Sequence, residues 1–212
     1  MFRFEKVKRF ENIEIAKPTR KTKNAAAYDM VSAVDITIPS MGHSMSIMSD
    51  IVGSIKLTPE IKSLVQKMSE TNPSGAQDVL DSAVTCSMAE IADITKRYGL
   101  KPTLVPTGYK AYMPSDHSLD LYIRSSSPLK YWIILANGTG VIDSDYVDNP
   151  DNEGEIFFQV INLLPVPLEI KAGEIIGQAK FVKYGVTDDD HLDEKEDRVG
   201  GFGSTTKEES NA

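Results

Sequence analysis

The sequence predicts an all-β domain, a barrel or a sandwich, interrupted by a helical insertion. Three observations carry that expectation: short runs alternate apolar with polar residues, Gly, Pro and Asp turns separate them closely, and residues 58–98 switch to helical spacing. Residues 2–16 alternate well enough for an early strand, and "VDITIP" (34–39) alternates again until Pro39 stops it. Further strands are predicted at "LDLYIR" (119–124), "YWIILA" (131–136), "GEIFFQVIN" (154–162) and "EIIGQAKFV" (174–182). The helical stretch opens with Thr58 as N-cap and Pro59 at the first helical position, then sets Ile61, Leu64, Val65 and Met68 on one face. After the "NPSG" turn, Leu80, Val84, Met88, Ile91 and Tyr98 recur at helical spacing as far as Gly99 and Pro102, so a second helix is expected. Two amphipathic helices cannot bury both apolar faces alone, and the pair is expected to dock on the β domain or on another chain.

Charge and cysteine usage narrow the function. The chain has 212 residues, with 31 Asp and Glu against 23 Lys and Arg; the resulting formal charge of −8 disfavours long nucleic acid as a partner. A small phosphorylated ligand stays open, because local cations and backbone N–H groups can hold one. Cys86 is the single cysteine, so neither an intrachain disulfide nor a thiolate-cluster zinc site is expected. His43, His117 and His191 lack metal-ligand spacing. No apolar run reaches signal-peptide or membrane-span length, and a soluble, cytoplasmic protein without membrane contact is expected.

Chemistry concentrates in three stretches. "WIILANGTGVID" reads as a strand, an Asn-Gly turn and a second strand, a β-hairpin with Asp143 just past it. Asp143 has two readings: a solvated strand-end carboxylate, or a group that orients a water beside a hairpin whose main chain reads a heterocycle edge. "IRSSSP" (123–128) sets an arginine and three hydroxyls at a strand-to-loop transition suited to phosphate, and loop serines are also common without function. "RVGGFGST" (198–205) is either a Gly-rich linker or an arm that bends over a ligand, stacks on it and grips phosphates. From residue 185 the composition is that of a disordered tail.

Five stretches together, "AAAYDMVSA" (25–33), "RSSSP" (124–128), "NGTGVIDSDY" (137–146), "GEIIGQ" (173–178) and "RVGGFGST" (198–205), resemble in order the five motifs of the trimeric dUTP pyrophosphatases, the dUTPases. The resemblance covers residues 1–42 and 103–206. It implies a jelly-roll-like barrel of the β-clip type, a homotrimer with active sites shared between chains, and hydrolysis of dUTP to dUMP and pyrophosphate with Mg2+. By resemblance Asp143 activates the attacking water and Tyr146 lies under the deoxyribose, leaving no room for a 2′-hydroxyl. Asn137, Gly138, Gly140, Val141 and Ile142 form the hairpin that hydrogen-bonds uracil. Arg124, Ser125, Ser126 and Gln178 meet phosphates, and Asp29 reaches the magnesium through water. Arg198 grips the terminal phosphate, Phe202 stacks on uracil, and Gly203, Ser204 and Thr205 close over the phosphate chain.

The sequence also departs from the family pattern. Ala27 stands for a glycine, Ile175 for the arginine of the fourth motif, and Val199 and Thr206 disturb the register of the fifth. The "VDNPDNEGE" stretch after Tyr146 is longer than the usual connection. The related dCTP deaminases need a glutamate where this chain has Gln159, which argues against deamination. A third alternative is a regulatory protein that binds a partner through the insert, with Ile61, Leu64, Leu80, Val84 and Ile91 as the faces to inspect. An insert fits a phage member, acting in the host cytoplasm. The expected organisation is a β domain of 1–42 and 103–184, an insertion of 43–102, and an arm of 185–212.

Overall fold

The computed structural model describes residues 1–190, Arg198 and Gly200. The chain divides into two compact units, Met1–Ile38 with Pro102 onward, and Pro39–Lys101. The first holds β1 (Arg3–Lys6), β2 (Tyr28–Val31) and β3 (Ile36–Ile38). The second holds α1 (Met41–Lys56), α2 (Pro59–Ser69), α3 (Pro73–Val84) and α4 (Met88–Tyr98). The first unit then resumes with β4 (Thr103–Pro106), β5 (Tyr109–Tyr112), β6 (His117–Tyr122), α5 (Ser126–Tyr131), β7 (Ile133–Leu135) and β8 (Gly140–Ile142). It ends with β9 (Phe157–Asn162), β10 (Leu168–Ile170) and β11 (Ile175–Lys183).

All ladders are antiparallel and form four sheets, β1-β5, β10-β3, β2-β11-β6-β8 and β4-β9-β7. The architecture is mostly β with five helices among the described residues, and no ladder there closes the sheets into a barrel. Alternation works as expected where one face is buried. In β6, Leu119 and Leu121 enter the core while Asp120 and Tyr122 face the other way, and in β9 Phe158, Val160 and Asn162 are the buried set. The early strand is shorter than 2–16: Val7 and Phe10 are both buried, and a 3-10 turn at Lys8–Phe10 is what brings them to one side.

Residues 131–142 correct the hairpin expectation. β7 pairs with β9 and β8 pairs with β6, so the two runs belong to different sheets. The turn between them is tight, with Gly138 at φ 68° and its N–H donated to the Leu135 carbonyl at 3.1 Å. The Ala136 N–H is donated to the Gln159 carbonyl at 2.7 Å, so that edge of the β7 run is already taken by β9 and unavailable to β8. The predicted 131–136 strand also starts late, because α5 takes the chain to Tyr131 and Trp132 caps it in the left-handed region at φ 52°.

The helical unit has four helices where two were expected. Thr58 caps α2 by accepting from the Ile61 N–H, and Gly99 ends α4 at φ 67°, both as the sequence indicates. The run read as one second helix breaks between Val84 and Met88, where Ser87 and Glu90 form a reciprocal capping box. Lys56 pairs with Glu90, and together with the Ser87 N–H and hydroxyl it holds the Glu90 carboxyl down at about 2. Within this unit α2 packs on α3, and Ala76 and Ile94 are buried.

Candidate active site

The four-stranded sheet carries Asp29 and Gln178 side by side and ends at β8, next to Asp143. Ladder register sets Asp29 of β2 opposite Gln178 of β11, and Gln178 opposite Tyr122 of β6. These three, with Lys21, Arg124, Ser125 and Lys180, line an open hollow of about 530 Å³. Asp29 is 11% exposed at its side chain, its Oδ1 lies 3.8 Å from the Arg124 Nε, and its buried Oδ2 has no hydrogen-bond partner among the described residues. Such an oxygen is costly to leave unpaired and is aimed to accept a hydrogen bond. Lys21 and Lys180 form no ion pair among the described residues, so three cations face one carboxylate in this hollow. Gln178 donates to the Ile123 carbonyl at 3.5 Å, a long contact that leaves its amide available to a ligand. Ser126 opens α5 and lines a neighbouring hollow of about 510 Å³ with Arg124, Lys130, Glu174 and Ile175.

A second cluster follows β8. β8 is the edge strand of its sheet, so the outer row of its backbone N–H and C=O groups has no strand partner. Val141 is exposed on it, Gly140 is buried, and Asn137 and Gly138 are exposed in the preceding turn. Asp143 comes directly after the strand and starts a 3-10 turn, Ser144–Tyr146, closed by the Tyr146 N–H donating to the Asp143 carbonyl at 3.2 Å. The Asp143 side chain stays half exposed. Arg198 donates to Asp143 Oδ2 at 2.5 Å and to Asp145 Oδ1 at 3.0 Å, with its guanidinium carbon 5.8 Å from the Tyr146 ring centroid. Thus the third and fifth motifs meet within one chain, through two carboxylates rather than one. Phe202, Gly203, Ser204 and Thr205 lie outside the described residues, as does most of the expected arm 185–212.

Asp143 and the Asp29 hollow lie toward opposite ends of the same sheet, whereas the Asn137–Gly138 turn enters β8 at the Tyr122 end. Ile142 pairs with Leu119, so Asp143 follows a strand end beside Ser118, whereas Gln178 and Asp29 align with Tyr122 at the far end of β6. Four residues at about 3.4 Å each put them about 14 Å apart along the strand direction, and β2 lies three strand spacings from β8, about 14 Å across the sheet. One phosphate cannot sit within hydrogen-bond reach of both Asp143 and Asp29 of one chain. Tyr122, Lys21, Lys180 and Asp145 were not singled out from sequence; the alternation of β11 alone would have set Lys180 on the same face as Gln178.

Magnesium fits this donor set in one way. Among the described residues no group of three or more His, Cys, Asp or Glu could hold a metal, so an all-protein cage is absent there. The orphaned Asp29 oxygen beside a cationic hollow suits an ion held mainly by phosphates and waters, the mode that a cation reluctant to dehydrate prefers.

Comparison with known proteins identifies the family. The dUTPase family model matches residues 91–206. The deoxyuridine 5′-triphosphate nucleotidohydrolase of Lactococcus lactis is 49% identical over 102 residues, covering 48% of this chain and 68% of that protein. The chain spans about two thirds of the length of that relative. Among solved structures, the dUTPase from Streptococcus mutans is 28% identical with a TM-score of 0.55, covering 87% of this chain and 98% of that one. A dUTPase from phage phi11 of S. aureus, whose structure details the coordination of a structural Mg(II) ion, shares the fold at 12% identity and a TM-score of 0.51, covering 92% of this chain and 97% of that one. With an edge strand running into Asp143, a phosphate-suited hollow on the same sheet and the family model spanning more than half of its residues, the chain belongs to the dUTPase family.

Proposed function

We propose that the chain is a dUTP diphosphatase acting as a homotrimer, each active site combining the Asp143 cluster of one chain with the Asp29 hollow of another. The observation that supports this reading is the separation of Asp143 from Asp29 along and across one sheet, too far for both to reach one phosphate within a single chain. The unpaired main-chain row of β8, with Asn137 and Gly138, reads uracil. Cytosine would present a donor to a donor there, and an unmet buried polar group costs about 1–3 kcal/mol. Tyr146 lies under the deoxyribose. Arg124, Ser125, Ser126 and Gln178 hold the phosphates, joined by Arg198, which exchanges carboxylate partners for the terminal phosphate. Phe202 stacks on the base, and Gly203, Ser204 and Thr205 close over the phosphate chain.

Asp143 takes the proton of a water whose oxygen bonds to the α-phosphorus while the bond to the bridging oxygen breaks, giving dUMP and pyrophosphate. Asp29 would hold a magnesium ion through water, and the ion would supply charge neutralisation for the phosphates. Residues 1–42 and 103–184 constitute the jelly-roll-like barrel, 43–102 the insertion and 185–212 the arm. The enzyme is placed in the cytoplasm, a host cytoplasm if phage-encoded; no helix among the described residues is long and apolar enough to cross a membrane. Pyrophosphate release from dUTP, dCTP, dTTP and UTP tests the reading. Activity is expected on dUTP alone and falls at least about 10²-fold in Asp143→Asn, the usual cost of losing a positioned base; comparable cleavage of dCTP would refute it.

A second reading concerns the insert. Leu64, Met88, Ile91 and Tyr98 are exposed, which supports a protein-docking face in addition to catalysis. Polar substitution of Leu64 and Ile91 should leave turnover unchanged and raise the isolated protein's solubility; solubility unchanged by the substitutions would remove this reading.

A further inference from the structure

Tyr146 is held at both ends of its side chain by the nine residues that lengthen its connection to the next strand. At the backbone end, the Asn149 amide donates to the Tyr146 carbonyl at 2.8 Å. At the far end, the Asn152 amide donates to the phenol oxygen at 2.8 Å, and the phenol donates to the Glu155 carbonyl at 3.1 Å. The phenol therefore has a donor and an acceptor, both from the same loop, in a site where Tyr146 is 5% exposed.

The loop is fixed internally. Asn149 Oδ1 accepts from the Asp151 and Asn152 N–H groups at 3.1 and 3.2 Å, and Asn152 Oδ1 accepts from the Gly154 N–H and the Asn149 amide at 3.0 and 2.8 Å. Gly154 adopts φ 79°, and a Cβ there would fall 2.7 Å from the Tyr146 carbonyl oxygen, so the loop folds back onto the very residue it supports. Its ends are anchored elsewhere. Asp148 meets Lys110 and the Tyr112 hydroxyl, while Glu155, 1% exposed, accepts from Arg9 at 2.5 Å and from the Gly108 N–H at 3.1 Å. None of these bonds is needed to connect two strands; a short link would do that.

The geometry points to Asn152 as a positioning residue that sets sugar selectivity by pinning the Tyr146 phenol. This rests on the dUTP reading above and deepens it. Excluding a 2′-hydroxyl is a steric test, and it works only if the ring keeps its place to a fraction of an ångström when a ribose pushes against it. Asn152 acts on selectivity through Tyr146, while its Oδ1 ties Asn149 and Gly154 into the loop.

The test is the ratio of kcat/KM for dUTP to that for UTP in wild type, Asn152→Ala, Tyr146→Phe and the double variant. Asn152→Ala is expected to lower the ratio about tenfold, mainly through a gain on UTP, with kcat on dUTP changing less than about threefold. Tyr146→Phe keeps the ring and loses only the pinned hydroxyl, so it lowers the ratio similarly, and the double variant falls no further because the selectivity effect of both changes lies in the one bond they share, Asn152 to the phenol. Adding effects in the double variant would assign Asn152 a general structural role and overturn the inference, as would unchanged selectivity in either single variant. Tyr146→Phe decides the matter even if Asn152→Ala fails to fold. Wild-type inactivity on dUTP would instead remove the parent reading and this one with it, so the two failures are told apart.

Discussion

Arg9→Ala isolates the ion pair on which the Tyr146 loop is anchored. Glu155 is 1% exposed and, among the described residues, keeps only the Gly108 N–H as a carboxylate partner once Arg9 is gone. Burial already holds the Glu155 carboxyl above its ordinary range, against the opposing pull of Arg9. Stranding a buried charge costs about 3–5 kcal/mol. Here Arg9 is itself about half exposed, and Glu155 can escape the penalty by taking a proton, so a loss of about 2 kcal/mol at pH 7 is expected. The sign in pH follows. Because the folded value is raised above the unfolded one, about 4.3, ionising Glu155 costs stability progressively as pH rises from there through the folded value. Arg9→Ala raises the folded value further, so wild type and variant should be similar near pH 4 and diverge toward pH 7. Thermal unfolding at fixed protein concentration reads this as a gap opening to about 5 °C. A gap independent of pH, or one widest at pH 4, would refute the assignment of the loss to a buried carboxylate.

Two further outcomes follow from the sheet face and from the helical unit. Lys180→Gln removes one of three cations from the Asp29 hollow and should raise KM for dUTP several-fold while leaving dUMP affinity unchanged, read by steady-state kinetics and product inhibition. Ser87→Ala breaks the α4 capping box and should cost about 1 kcal/mol of helix stability; since Glu90 is depressed to about 2, these contacts are complete above its unfolded value and are lost as pH falls toward 2, which helicity followed by circular dichroism at acid pH would track.

Legibility in the sequence depended on how local each cause was. Thr58, Pro59 and Gly99 act within one helical turn, and their caps formed where the residues indicate. The Ser87–Glu90 box was equally local, but apolar spacing continued across 85–87 and masked the break. α1 carries two glycines and four serines in 16 residues, a composition that reads as loop until tertiary packing supplies what propensity lacks. The pairing of β7 and β8 with different sheets rests on β9 and β6, far off in sequence, so the local turn chemistry at Asn137 and Gly138 suggested a hairpin instead. In the candidate site, the motifs single out Asp143, Tyr146 and Arg198, and the structure places the three together. The distance between Asp143 and Asp29 was not legible, because it is set by ladder register across three strands.

The shared site is tested most directly by subunit mixing. Asp143→Asn and Asp29→Asn chains, each impaired alone, are unfolded together at equal amounts and refolded, and dUTP hydrolysis is assayed. If Asp143 of one chain works with Asp29 of its neighbour, random assembly restores about a quarter of the sites to an intact pair, and activity recovers toward that fraction. Activity that stays at the level of the two variants refolded separately, in a mixture whose chains do co-assemble, would contradict the account.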